Sequence, residues 1–326
     1  MKITNVMGPV ALAASLMGST AFADVLKFAH VYEVGHPLQA AAEKAAELFE
    51  KRTEGRHSIE VFPASSLGKE TDLNEGLSLG TVDIIYTGAG FAGSFYGPAS
   101  MTDFPFTLRN LDHWKAYFGS DVFAEVARGY AEATGGNEIA AVSYYGSRHV
   151  TANKPILTPE DMQDLKIRVP GAPAYMLFPA AVGANPTPLA FAEVYLALQQ
   201  GVVDAQENPL TTIKAKRFHE VQSDISLTGH IINSTYTVVS GFRLGMLSDE
   251  DRQILDEVLK ETADDATAAI VQAETELADW FRGEGVTVNE VDRAPFIAAV
   301  APALTNGDQP FPTELYERLQ AVPDAE

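Results

Sequence analysis

Asp161-Met-Gln-Asp-Leu-Lys-Ile-Arg-Val-Pro170 is the stretch whose reading decides the fold. Residues 161–164 form a polar turn, 165–169 an apolar run that Pro170 stops, and 172–182 a helical pattern that ends at Gly183. A strand followed at once by a crossover helix is the unit of an α/β fold. Outward from it the alternation continues. Toward the N-terminus, residues 25–31, 58–62, 82–86 and 139–145 read as strands, with helices over 37–51, 71–79 and 112–133 between them. Toward the C-terminus come a helix over 191–200, an extended piece from Ala205 and a strand over 236–240. Ser248 then opens, with Asp251 three positions on, a helical pattern that runs to Gly283 and Gly285. About 35 residues at 1.5 Å each give roughly 50 Å, longer than a small domain is wide. Such a helix is expected to lie across two domains, which is also the number that 326 residues suggest.

Composition removes several function classes. Lys and Arg number 23 against 44 Asp and Glu, giving a net charge of −21. Nucleic acid is therefore a poor partner, because phosphate binding needs clustered cations. With no cysteine, neither a disulfide framework nor a Cys-ligated zinc or iron–sulfur site can form. An apolar fraction of 46% excludes intrinsic disorder.

The first 23 residues read as a cleaved leader: Lys2, an apolar stretch over 6–17, then Ala21-Phe-Ala23 before Asp24. The apolar run is too short for a membrane span of about 20 residues. The expectation is an exported periplasmic protein, cleaved after Ala23 and not anchored in the membrane.

Gly88-Ala-Gly-Phe-Ala-Gly93 matches the dinucleotide-binding glycine pattern after a strand, but Gly97-Pro98 leaves no room for the helix that pattern requires. The reading preferred here is a small-residue loop where backbone approaches a ligand. Nucleophile-elbow, zinc-protease and phosphate-loop motifs are absent, and the seven histidines fall at no metal-ligand spacing. No cofactor or metal is expected. Arginine placement says more. Arg168 sits inside an apolar strand, opposite in facing to Ile167 and Val169, and Arg148 lies just past the 139–145 strand. A guanidinium at a strand end in an α/β sheet matches a carboxylate bidentately. On chemistry alone Arg168 is either a ligand arginine or half of an ion pair with one of the 44 acids.

Pro159-Glu-Asp-Met-Gln-Asp-Leu-Lys-Ile-Arg-Val-Pro170, Gly183-Ala-Asn-Pro-Thr-Pro-Leu-Ala-Phe-Ala-Glu-Val-Tyr-Leu-Ala-Leu-Gln-Gln-Gly201 and Val203-Asp-Ala-Gln-Glu-Asn-Pro209 together resemble the signature of TRAP (tripartite ATP-independent periplasmic) transporter solute-binding proteins. Pro63-Ala-Ser-Ser-Leu-Gly68 and Leu227-Thr-Gly-His230 fit as well, so the resemblance covers the whole chain after the leader. It implies an α/β, two-domain periplasmic binding protein with mixed sheets, a hinge, a cleft between the domains and the long helix bracing both. The domains would be 24–146 with about 234–273, and about 147–233 with 274–326.

The resemblance also implies roles for single residues. Arg168 would clamp the substrate carboxylate, with Arg148 and Asn208 beside it and Phe191 as an apolar wall. His230 matches a cleft-facing histidine of sialate-type members, and Glu70 stands where those members bind hydroxyls through an acid. They carry a further acid where this chain has Gly88, a departure that weakens sialic acid as the ligand. His30-Val-Tyr-Glu33 and Leu67-Gly-Lys-Glu-Thr-Asp-Leu73 look like members that take hexuronates. Two arginines, Asn208, Glu70, His30 and Phe191 suit a polyhydroxylated acid better than a dicarboxylate, whose second carboxylate would meet Glu70. The expected ligand is a hexuronate such as D-glucuronate or D-galacturonate, delivered by a monomer to the TRAP membrane subunits. The alternatives are another organic acid (a C4-dicarboxylate, a 2-oxo acid or a sialate) and an exported uronate-acting enzyme.

Overall fold

The computed structural model describes residues 24–305 and 309–325. The leader and its cleavage point after Ala23 lie outside the described residues. Nine strands join in one mixed sheet. They are β1 (Asp24–Ala29), β2 (His57–Phe62), β3 (Ile84–Gly88), β4 (Glu138–Ala152), β5 (Lys166–Val169), β6 (Asn185–Pro188), β7 (Ala205–Pro209), β8 (Asp224–Val239) and β9 (Thr287–Asn289). Their order is β2-β1-β3-β8-β4-β7-β5-β6, with β9 beside β8. β1 lies parallel to β2 and β3 at one end, and β5 parallel to β6 and β7 at the other. Between these parallel groups run β4 and β8, antiparallel to each other.

These two strands are 15 and 16 residues long, about two and three times what the sequence indicated. Their extensions carry Gly146, Arg148 and His149 in β4, and Thr228, Gly229 and His230 in β8, residues outside both strands of the sequence reading. In β8, residues 227–230 fall between the paired Ser226 and Ile231, with Gly229 at φ 51°; in β4 pairing extends the strand. The Arg148–Ala152 end of β4 is held by β7 on one side and β8 on the other, so its backbone groups are satisfied as strand. The β4–β8 register shifts between Ile139 and Ala141, between Tyr144 and Gly146, and between Arg148 and Val150, bulges that bend the pair midway. Gly146 has φ 118°, and a Cβ there would stand 2.7 Å from Pro209 Cβ. At this bend the Ser147 N–H and the Tyr144 hydroxyl donate to Glu274 at 2.6 and 2.8 Å, and the Tyr144 N–H donates to Thr267 Oγ1 at 3.0 Å.

Glu274 and Thr267 belong to the long helix, Asp249–Gly283, whose 35 residues begin at the Ser248 cap as the sequence suggested. Leu255, Val258, Leu259 and Ile270 of this helix pack into a core around β1, β3 and the first half of β4. Leu277 and Phe281 pack with Val194, Leu210, Ile213 and Phe218 in a different core. A third apolar cluster joins Val150, Ile167, Phe178 and Ala205 to Phe296 and Val300. Leu315 and Leu319 of the last helix, Thr313–Ala321, return to the first core. Among the described residues no helix is long and apolar enough to cross a membrane.

Two helices differ from their sequence reading. The pattern over 112–133 is two helices, Leu111–Phe118 and Asp121–Ala133. Gly119 closes the first and the Ser120 hydroxyl caps the second by accepting from the Phe123 N–H at 3.3 Å, so adjacent stop and start signals lie within one periodic stretch. The 191–200 helix begins as a 3₁₀ turn, Phe191–Glu193, before Val194–Gln199.

Candidate functional site

Each parallel group delivers its last residues to one end, where ligands bind, and because the two groups run in opposite directions those ends face each other along β4 and β8. Here Gly88 ends β3, Arg168 is the penultimate residue of β5 and Asn208 that of β7. Together with Arg148 of β4 and Asn233 of β8 they line a cleft of about 380 Å³. Glu70, the first residue of the helix Glu70–Leu79, closes one side, and Phe191 stands across from it.

The two arginines differ in pairing. Arg148 is buried and saturated: Nε and Nη2 donate to the Glu207 carboxylate at 2.5 and 2.8 Å, Nη2 to the Glu207 and Asn208 oxygens, and Nη1 to Asn233 Oδ1 at 2.8 Å. Burial works against the charges, but Arg148 and then His230 hold Glu207 down to about 2. Arg148 therefore lines the cleft with its charge already balanced and its nitrogens engaged. Arg168 is equally buried, yet among the described residues its only hydrogen-bond partner is the Leu189 carbonyl, which accepts from Nε at 3.1 Å and Nη2 at 2.8 Å. Its Nη1 has no acceptor. Among the described residues no acid forms an ion pair with it, so the ion-pair reading falls to Arg148. Burial lowers Arg168 to about 10, which leaves it charged at neutral pH. A buried cation with a free donor has the chemistry to take a carboxylate.

Glu70 accepts from the Gly88 N–H at 2.6 Å and the Thr87 hydroxyl at 3.1 Å through one oxygen. Burial raises it to about 7 in spite of these donors. At neutral pH it interconverts between a donor-bearing acid and an acceptor, which suits hydroxyl groups better than a second anion. Aromatic surface surrounds these polar atoms. Tyr32, Tyr145, Tyr175, Phe91 and Phe191 all line the cleft, and Arg168 lies 5.9 Å above the Phe191 ring.

Five of the seven residues singled out in the sequence thus share the cleft: Arg168, Arg148, Asn208, Glu70 and Phe191. His30 and His230 do not line it. His30 is fully buried, its Nδ1 accepting from the Tyr32 N–H at 3.2 Å, one residue removed from the surface that Tyr32 presents. His230 donates to Glu207 at 3.1 Å and stacks on Phe178 at 4.0 Å, which places it behind the Arg148–Glu207 pair. Burial lowers both, so each is neutral. Gly88 lines the cleft and opens a short helix, Ala89–Ala92, where a loop was expected.

Glu207, Asn233, Asp103 and Tyr175 went unread in the sequence. Glu207 lies within the Gln-Glu-Asn-Pro motif, and its pairing with Arg148 depends on β7 lying beside β4. Asp103 is buried and accepts from the Asn233 amide at 2.6 Å, the Gly90 N–H at 2.7 Å and the Tyr175 hydroxyl at 2.6 Å. Burial raises it to about 6 against these donors. No local signal announces residues that meet only through the sheet.

Residues 28–309 match the family described as bacterial extracellular solute-binding protein, family 7. The sialic acid-binding periplasmic protein SiaP of Vibrio cholerae is 32% identical over 322 residues, 99% of this chain and 100% of its own. A TRAP periplasmic solute-binding protein of Roseobacter denitrificans with bound L-galactonate superposes with a TM-score of 0.86 at 30% identity, covering 91% of this chain and 98% of its own. A second one from that organism, with bound β-D-glucuronate, gives a TM-score of 0.86 at 30% identity, covering 92% and 100%.

Proposed function

Since the chain belongs to bacterial extracellular solute-binding protein family 7, and so is a binding protein and not an enzyme, we propose that it captures a hexuronate for a TRAP transporter. The observation that carries this reading is the unpaired Nη1 of buried Arg168 in a cleft that also holds Glu70. One carboxylate satisfies Arg168, with Asn208 and Arg148 lining the cleft beside it. Hydroxyls at the far end of the ligand exchange hydrogen bonds with Glu70, and Phe191 covers the apolar face of the ring. Among the described residues lining the cleft the other cations are Arg148, paired with Glu207, and the exposed Lys69, 4.0 Å from Asp72, so a second carboxylate finds no buried unpaired cation and meets Glu70. The relative with bound β-D-glucuronate supports a ring acid of this size.

Binding is by closure. We place one lobe at residues 24–146 and 234–273 and the other at 147–233 with 274–305. The last helix joins the first lobe, because Leu315 and Leu319 pack there. The bend of β4 and β8, clipped by Glu274 and Thr267 of the long helix, is the hinge. A ligand that bridges Arg168 on one lobe and Glu70 on the other favours the closed form by its differential contacts. The loaded monomer then delivers its ligand to the membrane subunits from the periplasm.

A sialic acid is the second reading, favoured by the Vibrio cholerae relative. Calorimetric titration with D-glucuronate, D-galacturonate, succinate and N-acetylneuraminate separates these. The hexuronate reading predicts heat with at least one uronate and none with succinate. A protein silent to both uronates and responsive to succinate overturns it.

A further inference from the structure

Gly88 and Gly90 have ordinary negative φ, so backbone freedom does not explain them. Space does. A Cβ on Gly88 would stand 2.8 Å from the Tyr175 hydroxyl, and one on Gly90 2.8 Å from Tyr175 Cε2. Tyr175 reaches them from the helix Ala174–Ala181, which follows β5 on the opposite side of the cleft. Its ring lies where side chains at 88 and 90 would otherwise project, and it is only 3% exposed.

Three groups fix that ring. The hydroxyl donates to Asp103 at 2.6 Å, and Asp103 is itself held by Gly90 and Asn233. The Arg148 guanidinium lies 5.1 Å from the ring centroid. Phe91, Val169, Ala172 and Ile231 form the apolar cluster around it. A side chain so held cannot swing aside to admit more ligand without breaking a buried hydrogen bond and an apolar contact at once.

We propose that Tyr175 is the specificity-determining end wall of the cleft: its ring, seated on Gly88 and Gly90, limits the ligand to acids of about hexuronate size. The inference rests on the cleft being the acid-binding site. Against the ring lies the Asp103 carboxylate, which accepts from the Tyr175 hydroxyl and the Gly90 N–H, an acceptor that would receive hydroxyls of a longer polyhydroxylated acid once the ring is removed.

The test compares D-glucuronate with the nine-carbon acid N-acetylneuraminate by calorimetry on the full chain. In Tyr175→Ala, and in Tyr175→Leu as the better-packed substitute should Ala fail to fold, the preference for the shorter acid should narrow by roughly tenfold or more, the scale for reshaping a pocket. Tyr175→Phe keeps the ring and should leave the preference unchanged while lowering the melting temperature. An unchanged preference in both Tyr175→Ala and Tyr175→Leu overturns the end-wall assignment. So does a Phe variant that shifts preference as far as Ala, or a wild-type protein that binds both acids equally. Arg168→Met with the same acids keeps the two readings apart. If it abolishes binding while the Tyr175 variants move nothing, only the end wall fails. If it changes nothing, or if the wild-type protein binds neither acid, the cleft assignment fails and the end wall with it.

Discussion

Replacing the two cleft arginines should have opposite consequences. Arg168 is 2% exposed, with the Leu189 carbonyl as its sole acceptor among the described residues. In the ligand-free protein its desolvation is not repaid by a carboxylate, so Arg168→Met should leave stability unchanged or slightly raised. In the complex the same substitution removes one partner of a buried charge pair. That costs about 2–5 kcal/mol, or roughly 30-fold to several thousand-fold in dissociation constant. Arg148 is 2% exposed too, but it holds the Glu207 carboxylate at 2.5 and 2.8 Å. Arg148→Met leaves Glu207 buried with only His230 beside it, and should destabilise the ligand-free fold by about 3–5 kcal/mol. Urea denaturation without ligand and calorimetry with D-glucuronate measure the two halves. An Arg168→Met protein that binds as wild type refutes the carboxylate clamp. One that loses as much stability as Arg148→Met refutes the difference in pairing.

Burial raises Glu70 to about 7 from an ordinary 4.5. Below the ordinary value the carboxyl is neutral in both states; between it and 7 the unfolded chain ionises first, so stability falls as pH rises, and above 7 the loss is complete. Glu70→Gln should therefore gain on wild type between about pH 4.5 and 7.5 in urea titrations, and a gap that does not change with pH counts against the burial argument. At the bend of β4, Gly146→Ala forces a left-handed φ of 118° on a residue with a Cβ and sets that carbon 2.7 Å from Pro209. A loss of about 1–3 kcal/mol in chemical denaturation is expected, and a neutral variant contradicts the strained bend.

What the sequence reveals and what it hides follow from the range of each interaction. The strand before Pro170, the Ser248-capped helix and the strand–helix alternation from β1 to β3 are written in local periodicity and local caps, and they are legible to within about two residues. The outer halves of β4 and β8 are not: Arg148 takes strand geometry between β7 and β8, and Thr228 and Gly229 fall in the gap of the β4–β8 register between Ser226 and Ile231, features that no local pattern writes. The cleft divides the same way. Arg168 announces itself by standing in an apolar strand before Pro170, and Asn208 through the Gln-Glu-Asn-Pro motif of the family it resembles. Glu207 becomes the counter-ion of Arg148 only when β7 lies beside β4, and Tyr175 becomes a cleft wall only when a helix of the far half meets Gly88. His30 and His230 show the converse: a chain position next to the right neighbours does not fix depth, and both side chains lie a layer behind the surface. The large negative charge is equally silent about the site. It belongs to the whole chain, whereas the free donor on Arg168 sets the sign at the point of capture.

The most direct test is a pair of titrations at neutral pH, one with D-glucuronate and one with D-glucose, which shares the ring and lacks the carboxylate. Capture through Arg168 predicts a saturable heat with D-glucuronate and none with D-glucose. Equal binding of both sugars, or silence toward D-glucuronate where succinate binds, contradicts it.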